Sequence, residues 1–407
     1  MSDAQAFLTA ATELLGERGL TRDPELLEPW LTDWRGRFTG RALALASPAS
    51  TAEVSGLMRL CARFGIPVVP QGGNSGMSGG ATPDASGEAV LLSLRRMNAI
   101  RRLDPQAREI TCEAGVILQT LHETAAAEGL RFPLTLGVVT AATLRLLPAL
   151  ADRAVLWAGL GSVQDARALL LHAESRAGSA LEGFEVMPRH SLEAVLAHVR
   201  GSRSPLQGPH AWHALIELAA DRESAAGLPA LAQHLLESAF EAGLVEDATI
   251  AANETQAEQF WLLRDEIAPA ERALGPAMQH DVSVPVARMA DFVAAAVPEV
   301  ERRFPDTTAV AFGHLGDGNV HFHVLAPRGS VRGAWEEADG KAISAFVHDL
   351  VTEWGGSISA EHGIGQLKRD ELGRLGDPVQ LAMMRGIKKA LDPHGLLNPG
   401  KLVPPCA

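Results

Sequence analysis

The stretch AVAFGHLGDGNVHFHV at residues 309–324 constrains this chain more than any other. Apolar residues 309–312 and 320–324 flank Leu-Gly-Asp-Gly-Asn. That is a strand–turn–strand pattern, with glycine supplying turn geometries that other residues resist. His314 closes the first strand. His321 and His323 stand two apart on the second and share a face, while Val320, Phe322 and Val324 take the other. A tight turn brings His314 to the same end, and SAEHGIG at 359–365 adds the carboxylate of Glu361 and the imidazole of His362. Imidazoles beside a carboxylate are the donors a divalent metal takes. Spacing alone leaves two readings open. The group is a metal or catalytic site, or these are structural and exposed histidines in a chain that has 14 of them, without compact His-x-x-x-His spacing.

A length of 407 residues allows two or three domains and a large core. The net charge of −13 argues against sequence-independent binding to nucleic acid and against docking on an anionic membrane. Cys61, Cys112 and Cys406 are isolated, so neither a disulfide framework nor an iron–sulfur site is indicated. No apolar run reaches the roughly 18 residues of a spanning helix. The N-terminal segment lacks a basic start and reads as an amphipathic helix over 3–16, not a signal peptide. The expected compartment is the cytoplasm.

Along the chain, residues 52–64 read as a helix and 66–70 as a short strand. Five glycines follow within Gln71-Gly72-Gly73-Asn74-Ser75-Gly76-Met77-Ser78-Gly79-Gly80. Such a backbone can approach a ligand closely and cradle a phosphate with free N–H groups. The spacing is not GxGxxG, so a Rossmann site fits poorly, and by composition a flexible loop is an equal alternative. From about residue 154 short strands alternate with helices, which suggests an α+β or split βαβ domain without a detectable sequence repeat. One helix is expected over 258–271 and another over 334–354. Arg264, beside Trp261, Leu262 and Leu263, reads by itself as a surface ion pair with Glu258 or Asp265.

GHLGDGNVH, EHGIG and LDPHGLLNPGK (391–401) resemble the C-terminal signatures of FAD-linked D-2-hydroxyacid dehydrogenases, of the vanillyl-alcohol-oxidase-like flavoprotein superfamily. The resemblance implies an α+β fold in three parts. These are an FAD-binding domain over 1–148, a substrate or cap domain with a metal site over 149–375, and a C-terminal segment over 376–407 that returns to the FAD domain. It implies that His314, His321 and Glu361 bind a divalent metal, commonly zinc, and that His362 is the base. WxLR resembles the motif whose arginine, here Arg264, clamps the substrate carboxylate. Pro70, Gly72, Gly73, Asn74, Ser75, Gly76, Gly79 and Gly80 resemble the family's FAD pyrophosphate loop, and Asn398 belongs to the returning NPGK. Gln279 stands where relatives often have lysine, which weighs against a dicarboxylate substrate, and His323 stands where they often have asparagine, as a further metal or substrate contact.

The resemblance breaks once. Gly137 runs straight into Val138, and a block that in relatives supplies much of the flavin contact is absent. Two readings follow. The chain is a shortened FAD-dependent enzyme acting on a lactate-, glycolate- or 2-hydroxyglutarate-class D-2-hydroxyacid, with an unidentified electron acceptor and a homodimeric assembly. Alternatively, it is an inactive homologue whose cap domain still binds metal and hydroxyacid.

Overall fold

The computed structural model describes residues 3–132 and 140–403, so the junction at Gly137/Val138 and Cys406 lie outside the described residues. The chain forms two compact units, Met1–Ala149 with His362–Ala407, and Leu150–Glu361. The chain thus re-enters the first unit at His362, earlier than the expected boundary at 376. Hydrogen bonds explain this: Ser78 Oγ donates to the carbonyls of His362 and Gly363, and Gln366 N–H donates to Ser78 O. Backbone capture of this kind leaves no mark on hydropathy.

In the first unit, β1 (Leu20–Thr21), β2 (Ala44–Ala46), β3 (Val68–Pro70) and β4 (Val90–Leu92) make a sheet of order β1-β2-β4-β3. The helix Thr51–Phe64 packs Leu57 and Cys61 into its core. Ser50 caps that helix by accepting from Glu53 N–H, and Gly65, at φ 65°, ends it in the left-handed conformation that glycine adopts without strain. A second sheet joins β5 (Ile100–Asp104), β6 (Glu109–Glu113) and β8 (Ala141–Arg145), while β7 (Leu130–Arg131) pairs with β9 (Leu147–Pro148).

The second unit is built on β10 (Asp152–Leu160), β11 (Leu181–Pro188), β12 (Trp212–Ala220), β13 (Asp247–Ile250), β14 (Ala277–Ser283), β15 (Thr308–His314) and β16 (Asn319–Leu325). Their order is β13-β10-β12-β11-β15-β16-β14, every pair antiparallel. The first four strands have the arrangement of a split βαβ unit. The last three repeat it without a fourth strand, and a lone bridge between Ser283 and Ser357 stands where that strand would pair. What repeats is the order of elements and not the residues, so the sequence shows no repeat. One face carries the helices Val163–Ala177, Leu228–Glu241, Met289–Arg303 and Lys341–Glu353. Arg189–His198, Glu254–Asp265 and Ile267–Leu274 cover the other.

Two expected helices differ. The span 258–271 breaks at Glu266, because Pro269 lacks an N–H and its ring would strike the carbonyl of Asp265. The span 334–354 begins with a wide turn at Glu336–Gly340 before the α-helix starts. No described helix is long and apolar enough to cross a membrane.

Ile216 lies fully buried on β12, in the middle of the sheet. Ile216→Ala is expected to cost about 2–5 kcal/mol by removing buried methylenes and leaving a cavity. Urea unfolding followed by circular dichroism measures it, and a loss under about 1 kcal/mol would contradict a tightly packed core.

Candidate functional site

Strand alternation places His321 and His323 on one face of β16, and Val320, Phe322 and Val324 in the opposite core. Register sets the rest. Phe312 faces His321 across β15/β16, His321 faces Asp281 across β16/β14, and His314 faces Glu185 across β15/β11. Glu361 arrives through the bridged segment after Ser357, where its N–H donates to Asp281 Oδ2 at 2.9 Å. His314, His321 and Glu361 thereby offer ligand atoms within 4.8 Å of one another, with Glu361 exposed.

The surroundings of this cluster are charged. Glu185, 3% exposed, holds His314 Nδ1 at 2.5 Å through Oε1 and accepts from Arg264 Nε at 2.9 Å through Oε2. Arg264 Nη2 lies 3.3 Å from His314 Nε2, which is itself 3.8 Å from Glu361 Oε1. A carboxylate only accepts and a guanidinium only donates, so the neutral His314 ring carries its proton on Nδ1 and keeps the Nε2 lone pair. The Glu185 hydrogen bond, opposed by burial, raises the His314 imidazole above 6.5. Burial, assisted by the charge of Arg264, pushes His321 down to about 3. Burial acts to raise Glu185, but the bond from His314 and the charge of Arg264 prevail and hold it below the usual carboxylate range.

The expected residues are thus partly brought together. His314, His321, Glu361 and Arg264 converge within the second unit. His323 stays outside the cluster, its Nδ1 2.5 Å from the fully buried Glu271. His362 follows Glu361 in the chain but belongs to the first unit, where its carbonyl takes the Ser78 hydroxyl. Arg264 pairs with Glu185 more closely than with Asp265, which is 3.8 Å away. Sequence reasoning missed Glu185 and gave Asp281 no role at the site. The available signal was an acid inside an apolar strand, LEGFEVMP for Glu185 and AMQHDVS for Asp281.

In the first unit, Pro70, Gly72, Gly73, Asn74, Ser75 and Gly76 line a cavity of about 710 Å³ with Leu92–Leu94 and Gly115–Leu118 on other walls. Nothing stands within 4 Å of where a Cβ would project from Gly72, Gly73 or Gly76. Gly79 and Gly80 do not line the cavity. A Cβ on Gly79 would lie 2.5 Å from the Phe38 ring, and Gly80 O accepts from Asn398 Nδ2 at 3.0 Å. The buried Gln71 Oε1 and Asn398 Oδ1 have no partner among the described residues.

Two family models cover this chain: "FAD binding domain" over residues 42–145 and "FAD linked oxidases, C-terminal domain" over 150–402. The D-2-hydroxyglutarate dehydrogenase of Xanthomonas citri pv. viticola is 32% identical, covering 94% of both chains. This chain belongs to the FAD-linked D-2-hydroxyacid dehydrogenase family. The mitochondrial D-2-hydroxyglutarate dehydrogenase of Arabidopsis thaliana is 29% identical over 96% of this chain and 80% of its own. The Xanthomonas alignment runs to 453 positions, more than the 407 of the whole chain, so that relative has residues without a counterpart here. Among solved structures, substrate-bound p-cresol methylhydroxylase aligns with a TM-score of 0.72 at 14% identity, over 98% of this chain and 97% of its own. A 4-ethylphenol oxidase from Gulosibacter chungangensis aligns with 0.69 at 17%, over 99% and 98%. The fold is α+β of the vanillyl-alcohol-oxidase-like type.

The two imidazoles carry opposite signs for stability. His314 binds its proton more tightly folded than unfolded, so its contribution is full below 6.5 and is lost as pH rises through its folded pKa. His321 contributes above 6.5 and loses that contribution as pH falls toward about 3. Ring-nitrogen NMR of metal-stripped protein is expected to show His314 titrating above 6.5 and His321 neutral well below it. A His321 ring that charges near 6.5 would contradict its buried, cation-flanked position.

Proposed function

We propose that the protein is an FAD-dependent oxidoreductase that converts a D-2-hydroxyacid of the lactate, glycolate or 2-hydroxyglutarate class to the 2-oxoacid. The observation that carries this reading is the placement of Arg264 Nη2 3.3 Å from His314 Nε2, next to His321 and Glu361. A guanidinium beside a three-donor cluster matches a carboxylate with a hydroxyl on the adjacent carbon. The relatives named D-2-hydroxyglutarate dehydrogenases support the substrate class.

The donor set fits a divalent metal. Tetrahedral zinc, with bonds of about 2.0–2.1 Å, needs ligand atoms roughly 3.3 Å apart. Donors already within 4.8 Å reach that spacing by a small swing of the exposed Glu361. His314 through Nε2, His321 and Glu361 would hold the ion, which would supply Lewis acidity toward the hydroxyl oxygen. The first unit fits the flavin. Open glycine positions line a large cavity, and Gln71 and Asn398 each leave an acceptor unused. Bound there, FAD would supply the two-electron acceptor for the hydride leaving C2.

The chain's own residues do the remainder. Arg264 holds the substrate carboxylate with charge-assisted bonds, which fixes the orientation of C2. His362, adjacent in the chain to Glu361, takes the hydroxyl proton on a ring nitrogen, and imidazole suits this because its ordinary pKa of about 6.5 lies near neutrality. The second reading, an inactive shortened homologue that keeps the hydroxyacid and metal site, is favoured by exposed apolar groups in the first unit. Val379, Met383, Ile387 and Leu391 form an exposed stripe at four-residue spacing on one helix.

Flavin absorbance of purified protein, before and after adding FAD, decides between the two. Bound flavin bleached by D-2-hydroxyglutarate or D-lactate is the expected result; protein that takes up no FAD supports the inactive reading. Gly73→Val should leave the flavin-free fold intact, since nothing occupies the space its side chain enters, and should lose flavin. Undiminished flavin in that variant would show that this loop is not the cradle. Arg264→Lys should raise KM about tenfold or more with a smaller effect on kcat, because an ammonium cannot make the planar fork.

A further inference from the structure

Glu185 answers to two functional groups at once. It lies in the buried half of β11, where a carboxylate loses several kcal/mol of hydration unless its lone pairs are taken. Each oxygen is taken by a residue of the candidate site. Oε1 accepts from His314 Nδ1 and Oε2 from Arg264 Nε, 2.5 and 2.9 Å away. The two bonds have different consequences.

On the His314 side, the bond fixes the ring. With Nδ1–H committed to Glu185, Nε2 is the lone-pair nitrogen, and it is the one that faces Glu361 Oε1 at 3.8 Å. A metal ligand held in this way has its tautomer and plane set before the ion arrives. On the Arg264 side, the bond occupies Nε. A guanidinium can grip a carboxylate through Nε with one Nη, or through both Nη groups. Glu185 removes the first option and leaves the second. Other acids do not duplicate it. Asp265 is 3.8 Å from Arg264 Nη1 and mostly exposed, where an ion pair contributes little. Glu217 is taken by Trp261 Nε1 at 2.6 Å and by Arg153.

We infer that Glu185 is a positioning residue shared by the metal ligand His314 and the substrate-binding Arg264, so that one buried carboxylate couples metal affinity to recognition of the substrate carboxylate. The inference rests on the hydroxyacid dehydrogenase reading above. It adds a residue that touches neither metal nor substrate and yet governs both.

The test uses the full-length protein carrying Glu185→Ala or Glu185→Gln, with His314→Ala and Arg264→Ala as references. Zinc affinity is measured by competition with a chromophoric chelator, and KM and kcat for D-2-hydroxyglutarate or D-lactate are measured at saturating zinc. Glu185→Ala should weaken zinc about 10–100-fold. It should also raise KM at saturating zinc more than it lowers kcat. In an Arg264→Ala background the added KM effect should vanish while the zinc effect stays, a split that a general loss of stability would not produce. Glu185→Gln keeps the volume and one acceptor, so it carries the test if the alanine variant fails to fold, with a smaller loss in the same direction. Unchanged zinc affinity and KM in Glu185→Gln and Glu185→Ala, with His314→Ala losing zinc, would overturn the positioning role and leave the metal site standing. Wild-type and His314→Ala proteins that hold zinc equally would overturn the metal reading, and the inference with it.

Discussion

The register of the seven-stranded antiparallel sheet is the constraint on which the site depends. A slip of one residue on β16 would turn His321 and His323 into the core and bring Val320, Phe322 and Val324 out. Burying one such apolar side chain stabilises by about 1.5–3 kcal/mol, and the three lie in one layer, so the slipped register is strongly disfavoured. The apolar face therefore decides where the polar face stands. Each residue of the row Glu185, His314, Phe312, His321 and Asp281 is placed by a strand whose other side is anchored among helices. Rigid strands hold such groups more closely than loops do. Glu361 is the exception, in the segment that follows the Ser283–Ser357 bridge and not on a strand, and it is also the exposed member of the set.

Charge on that face is managed in acid–imidazole pairs. Glu185 holds His314 at 2.5 Å, and Glu271 holds His323 at the same distance in a fully buried setting. Similar geometry serves different ends. Glu271 also takes the Ser191 hydroxyl, while His323 packs against Phe312, so that pair is closed on itself. His314 turns its second nitrogen toward Arg264 and Glu361. His321 Nδ1 lies 3.9 Å from Asp281 Oδ1, and burial keeps the ring neutral. A neutral imidazole beside a carboxylate-anchored one is the combination in which both can present lone pairs to a cation.

Much of this was legible in the sequence, and the limits have physical causes. Alternation in VHFHV is a local property, so the two faces of β16 could be read directly, and the nearness of His314, His321 and Glu361 was expected from the strand–turn–strand pattern together with the family resemblance. Glu185 could not be found in that way, because its partner Arg264 is 79 residues on and the pairing exists only once β11, β15 and the helix Glu254–Asp265 have packed. His323 was drawn toward the metal by its spacing. Its actual partner comes from a helix 52 residues earlier, and no local pattern announces it. The break at Glu266 was readable from Pro269 and was overlooked. The chain's return to the first unit at His362 was not readable, since it rests on the Ser78 hydroxyl and backbone carbonyls.

The two units differ in what surrounds their candidate groups. In the second unit His314 is held by Glu185, and Glu361 donates its N–H to Asp281, both within that unit. The first unit keeps its glycine cradle, yet Ile117 and Leu118 at the cavity and the stripe on the helix Pro378–Leu391 meet water. Apolar side chains at four-residue spacing on one helix face stabilise a fold only when something covers them. The helix buries Leu381, and polar bonds close its two ends: the Asp377 cap, and Asp392, which accepts from Lys388 Nζ and from the N–H groups of Leu396 and Leu397. Those bonds lead into the strand-like return of Leu397 beside Val68, directly before the glycine loop. The glycine loop itself is tied by Gln71 Nε2 to the carbonyls of Trp30 and Ala81, by Asn74 Nδ2 to Thr32 O and by Asn398 Nδ2 to Gly80 O, polar contacts in which the apolar stripe takes no part.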